Sequence, residues 1–187
     1  MRKKDDEKQR RIKNAVMHLI LEQGFAGTSI SKIAREAGVS PATVYIYYQN
    51  KEEMLKDIYI EYSEDVFGYL AQRAQPEMSA AELIETLIAS YYTYIQENQK
   101  IFSFVEQFAQ CPAFACQCAS RSGIYRLFSM IDLYKQRGQI RNFSDESIAA
   151  ILFSPVKSLA MDNRFSEENR MAQLREVTAL IEHALIL

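Results

Sequence analysis

A chain of 187 residues that is 48% hydrophobic, with only six Gly and four Pro, is long enough for one or two domains with a proper core and too apolar to be disordered. No apolar run approaches the ~20 residues of a membrane span. The basic N-terminus lacks the following h-region and cleavage site of a signal peptide, so a cytoplasmic protein with no membrane partner is expected. The formal charge of −2 is unevenly spread: residues 1–51 hold ten Lys/Arg against five Asp/Glu, whereas residues 52–187 hold twelve against nineteen, and a basic head on an acidic body suits a chain whose head meets phosphate.

Helical periodicity runs through the whole chain. Ile12, Ala15, Val16, Leu19 and Ile20 recur on one face, and Gly24 ends that first helix. Thr28 or Ser29 can cap a second helix, whose buried stripe is Ile33, Ala34 and Ala37. Gly38 stands where a tight turn needs positive φ. Val39 plugs the corner, Ser40 caps a third helix and Pro41 fits its first turn. Val44 and Tyr47, three apart, share a face that can pack back on the second helix. This is the spacing of a DNA-reading helix-turn-helix; the alternative is a helical hairpin with no DNA role.

A long helix is expected from about Lys51 to Arg73, with Leu55, Ile58, Tyr62, Val66 and Leu70 along one side, and Pro76 breaks it. Ser79 and Glu82 form a capping box for a helix to about Glu97. A short helix follows over Asn98–Gln110, Pro112 marks a break, and another helix reaches about Arg137 before Gly138. Ser144 caps a helix that Pro155 should kink, and Ser166 caps the last. The expected fold is therefore all-α, with about nine helices and no convincing strand. A three-helix DNA-binding head over residues 1–51 would precede a helical body over residues 52–187.

Catalytic chemistry has little to work with. His18 and His183 are far apart in helical stretches, and no Gly-rich phosphate loop or nucleophile elbow appears. Cys111, Cys116 and Cys118 match no common zinc spacing, so no metal and no cofactor are expected. They read as free thiols, with a redox sensor as the alternative.

The motif Thr28, Ile33-Ala34, Ala37-Gly38-Val39-Ser40, Tyr45-x-Tyr47-Tyr48, Lys51-Glu52 and Leu55 resembles that of TetR-family transcriptional regulators. Tyr48 stands where that family more often has Phe. The resemblance implies base-edge or methyl contacts at Pro41 and Ala42, and phosphate contacts at Thr43, Tyr45, Tyr47 and Lys51. Hydroxyls and an ammonium suit phosphate, and such contacts set register rather than sequence. Thr28, Ser31 and Lys32 complete the candidate DNA-binding set. No Arg, Asn or Gln precedes Gln49 on the recognition helix, so hydrogen-bonded base readout is sparse and methyl contacts and DNA shape must contribute.

The resemblance also implies a homodimer through the last two helices, for which Ile151, Leu152, Val156, Leu159, Leu174, Val177, Ile181 and Leu185 are the candidates. It implies a small-molecule effector pocket among the central helices. The aromatic-rich middle supplies Phe67, Leu87, Tyr91, Tyr94, Phe104, Phe108, Tyr125 and Phe128 as candidate lining, with Phe102 and Phe114 nearby. Glu106 and Arg126 are candidate polar anchors, and the wall suits an apolar or aromatic ligand. The expected function is a ligand-responsive repressor on a palindromic operator. A DNA-binding protein of the same fold acting on a protein partner is the alternative, and an enzyme is not expected.

Overall fold

The cap residues foreseen from sequence set the helix boundaries. A computed structural model describes residues 5–109 and 122–187; Cys111, Pro112, Phe114, Cys116 and Cys118 lie outside them. Nine helices occur among the described residues: α1 (Asp6–Gly27), α2 (Ile30–Glu36), α3 (Pro41–Tyr47), α4 (Lys51–Ala71), α5 (Ala80–Glu97), α6 (Gln99–Ala109), α7 (Ser122–Gln136), α8 (Asp145–Met161) and α9 (Glu167–Leu185). One isolated antiparallel bridge, Ile140 with Ile186, is the sole β pairing among them. None of these helices is long and apolar enough to cross a membrane.

Hydroxyl caps recur because the first amides of a helix have no partner within it. Ser29, Ser40, Ser79, Ser144 and Ser166 each accept a bond from the backbone amide three residues on. At Ser79 the capping box closes fully, with Glu82 reaching back to the Ser79 amide at 2.7 Å. Gly24 interrupts α1 at φ 69°, and Gly38 holds the turn between α2 and α3 at φ 64°. Pro155 lies inside α8, whose helical assignment continues through it.

The chain divides into two compact units. The first takes Met1–Ser63 and Gln99–Ala119, the second Glu64–Asn98 and Ser120–Leu187. These units do not coincide with a division at residue 51: the first keeps half of α4 and recruits α6 from far along the chain. The reason is apolar packing. Ile12, Val16 and Ile20 of α1, Ile33 and Ala34 of α2, Val44 of α3, and Met54, Leu55 and Ile58 of α4 form one buried cluster. Phe104 and Phe108 of α6 belong to that same cluster. A helix-turn-helix of two seven-residue helices is too short to bury a core alone, so α1, α4 and α6 complete it.

In the second unit α5 packs against α8 and α9. Leu83, Ile84, Leu87, Ile88 and Ile95 of α5, Ile148, Leu152 and Val156 of α8, and Leu174, Ile181 and Leu185 of α9 are all buried. Gly123 of α7 crosses α4 at backbone contact: a Cβ there would lie 2.8 Å from the Gly68 amide nitrogen. Its own amide donates to Glu64 Oε2 at 2.9 Å.

Candidate nucleic-acid interface

The recognition helix α3 is seated by two apolar side chains and leaves the opposite face open. Val44 is fully buried and Tyr48, its C-cap, is 4% exposed. Burial pushes the Tyr48 phenol above its usual range. The outward face consists of Pro41, Ala42, Tyr45 and Ile46, which follow helical spacing i, i+1, i+4, i+5. Tyr45 is 56% and Ile46 41% exposed. Ile46, to which the sequence reading assigned no role, also stands on this exposed side of α3. Tyr45 supplies the one side-chain hydrogen-bonding group on this face. Thr43 turns inward to its cap, with its hydroxyl 2.9 Å from Ser40 Oγ.

Several candidate contact residues have structural partners. Thr28 is buried, and its hydroxyl donates to the Gly24 carbonyl at 2.9 Å, so it secures the α1–α2 corner instead of facing outward. Lys51 Nζ donates to the carbonyls of Phe25 and Thr28 at 2.9 and 3.0 Å and lies 3.8 Å from the centre of the Phe25 ring. Lys32 Nζ donates to Gln23 Oε1 and the Gly27 carbonyl, both at 2.7 Å. Two lysines thus serve the carbonyl-rich C-terminal end of α1, where cations are favoured. Tyr47 is half-buried, and its hydroxyl accepts from the Asp5 amide at 2.9 Å and donates to the Asp5 carbonyl at 3.0 Å. Asp5 caps α1, and its hydrogen bonds to Lys8 hold its carboxyl below the usual range. Ser31 is exposed on the first turn of α2.

The aromatic candidates separate between the units. In the second, Tyr91 stacks edge-on to Phe153 with centroids 4.9 Å apart. Phe67 meets the same ring at 6.3 Å, and Tyr69 meets Tyr94 at 5.3 Å. Leu87 is buried beside them in α5, and Phe128 is half-buried. Phe153 and Tyr69 were not foreseen. Phe104 and Phe108 must be removed from this group: both belong to the core of the first unit, where Phe104 packs edge-on against Tyr62 at 5.9 Å. Tyr125 is 59% exposed, on the outside of α7.

Six of the eight dimer candidates, Leu152, Val156, Leu159, Leu174, Ile181 and Leu185, are buried within the single chain. They hold α8 and α9 to the unit's own core. The outward apolar surface lies a quarter-turn away, where Ala150, Ile151, Pro155, Val177 and Leu180 line a groove of about 260 Å³ with the edge of Ile181. Leu180 is 70% exposed. Sequence periodicity could not separate the two faces because both are apolar.

A helix-turn-helix of this geometry, on an all-α frame, defines a class of DNA-binding proteins. Residues 12–58 match the family model described as "Bacterial regulatory proteins, tetR family", so this stretch is a TetR-type DNA-binding domain. It is 22% identical over 181 residues to an HTH-type transcriptional regulator of Haemophilus influenzae, covering 94% of both chains. It is 27% identical over 88 residues to the fatty acid metabolism regulator protein of Bacillus subtilis, a match spanning 47% of this chain and 45% of that one. The crystal structure of a TetR family transcription regulator from Marinobacter aquaeolei superposes with a TM-score of 0.82 at 24% identity, covering 100% of this chain and 99% of the other.

Proposed function

We propose that the protein is a dimeric, ligand-responsive repressor. The first unit would bind each half of a palindromic operator, and the second would dimerise and hold a small apolar or aromatic effector. The observation that carries this reading is the division of α3 into a buried Val44 side and an exposed Pro41, Ala42, Tyr45 and Ile46 side. A helix held at its back and open at its front can enter a major groove. That front is nearly devoid of hydrogen-bonding groups, so thymine methyls are its natural targets. Lys51 and Lys32 then act through the corner they hold and Tyr47 through the start of α1, and each can exchange a backbone carbonyl for a phosphate oxygen. The aromatic cluster around Phe153 supports an apolar effector, and the Leu180 groove supports a second copy as the partner.

The test is footprinting on the DNA flanking the protein's own gene, followed by replacement of each thymine in the protected half-sites with uracil. Uracil removes only the methyl group. Loss of affinity at one or two positions per half-site, abolished in Ala42→Gly and Ile46→Ala, is the expected result. Unchanged affinity at every uracil position would show that α3 does not read methyls.

A further inference from the structure

We propose that the first unit carries a ligand site of its own, a cleft between α1, the end of α2 and the start of α6 that takes a small carboxylate with an apolar body. The cleft has a volume of about 730 Å³, within the range of small-molecule sites. Its floor is apolar. Ala15 and Ala37 are each 4% exposed, and Met17 and Leu21 form the sides, with Leu21 37% exposed. Met17 is a polarizable side chain that adapts to an aromatic or aliphatic body.

Charge selects the sign of the ligand. The two carboxylates on the rim, Glu22 and Glu36, converge on His18, whose ring nitrogens lie 3.3 and 3.2 Å from them and can hold both only as an imidazolium. The two cations, Arg11 and Lys100, have no hydrogen-bond or ion-pair partner among the described residues, and Arg11 Nε is buried with no acceptor. A guanidinium short of acceptors at the edge of an apolar floor matches a carboxylate, which it can hold through two parallel hydrogen bonds. An amine would leave the Arg11 donors unfilled. Arg11 also touches the helix-turn-helix: its Nη1 lies 3.3 Å from where a Cβ would stand on Gly38, at the α2–α3 turn. A ligand that draws the guanidinium into the cleft therefore acts on the corner that sets α3, and it shifts DNA affinity by its differential affinity for the two arrangements.

The full-length protein with 13C-methyl methionine is titrated with 3-phenylpropionate, 3-phenylpropylamine and inorganic phosphate. The expected result is a saturable shift of the Met17 methyl with the carboxylate only. In Arg11→Gln and in Lys100→Gln the affinity should fall by about tenfold, the loss of one charge-assisted contact. Lys100 is exposed, so its variant reports on the site even if Arg11→Gln loses fold. Equal binding of the amine, binding of phosphate as tight as that of the carboxylate, or a silent Met17 methyl with shifts confined to methionines of the second unit would each overturn the proposal.

Discussion

Replacing Leu180 with Asp is the sharpest perturbation of the proposed assembly. Leu180 is 70% exposed in the single chain and lies beside Ile151, Pro155 and Val177. Full burial of a leucine side chain is worth about 1.5–3 kcal/mol, so covering the exposed 70% contributes roughly 1–2 kcal/mol per copy. A twofold interface uses the residue twice, giving about 2–4 kcal/mol. At about 1.4 kcal/mol per factor of ten, the dimer dissociation constant should rise by about 30-fold or more, and the buried carboxylates add to that. The folded chain should be spared, because the substituted side chain is in solvent. Leu174→Asp is the control: at 6% exposure it places a charge inside the unit and should unfold it. Sedimentation velocity at low micromolar concentration, with circular dichroism on the same samples, separates the two. A Leu180→Asp protein that remains dimeric with parental helicity would refute the assignment of this face.

Lys51→Ala should lower thermal stability by about 1–2 kcal/mol even without DNA, since it releases the Phe25 and Thr28 carbonyls; differential scanning calorimetry checks it, and unchanged stability would refute a structural role for the lysine. Gly38→Ala should cost about 1–2 kcal/mol through its left-handed φ of 64°, with a further loss of operator affinity as the α2–α3 angle shifts, read by denaturant titration and fluorescence anisotropy. Ser79→Ala should destabilise the second unit by about 1 kcal/mol, measured by urea unfolding. Tyr91→Ala and Phe153→Ala, which open the ring pair at 4.9 Å, should leave the affinity of free protein for DNA close to parental while blunting release by an inducer; loss of DNA binding in a folded variant would instead place these rings in the DNA-bound arrangement.

The sequence by itself determined the local elements. Serine caps, the Gly38 turn, Pro41 at the first position of α3 and the stripes of α1 and α5 are short-range features, fixed by hydrogen bonding within a turn and by the 3.6-residue period. They sufficed for an all-α chain with a helix-turn-helix near its N-terminus. The tertiary structure decided which apolar side chains meet. Phe104 and Phe108 follow α6 into the core of the first unit, although nothing in their local pattern separates them from Tyr91 and Tyr94. It also decided which face of an apolar helix looks outward, turning Ile46 and Leu180 to solvent while Val44 and Ile181 are buried. The fate of polar groups was equally non-local. Lys51 reaches carbonyls 23 and 26 residues away, and Tyr47 reaches Asp5 across 42. Periodicity shows that a helix has an apolar side; what covers that side depends on segments distant in the chain, whose approach is set by the shared burial of all of them.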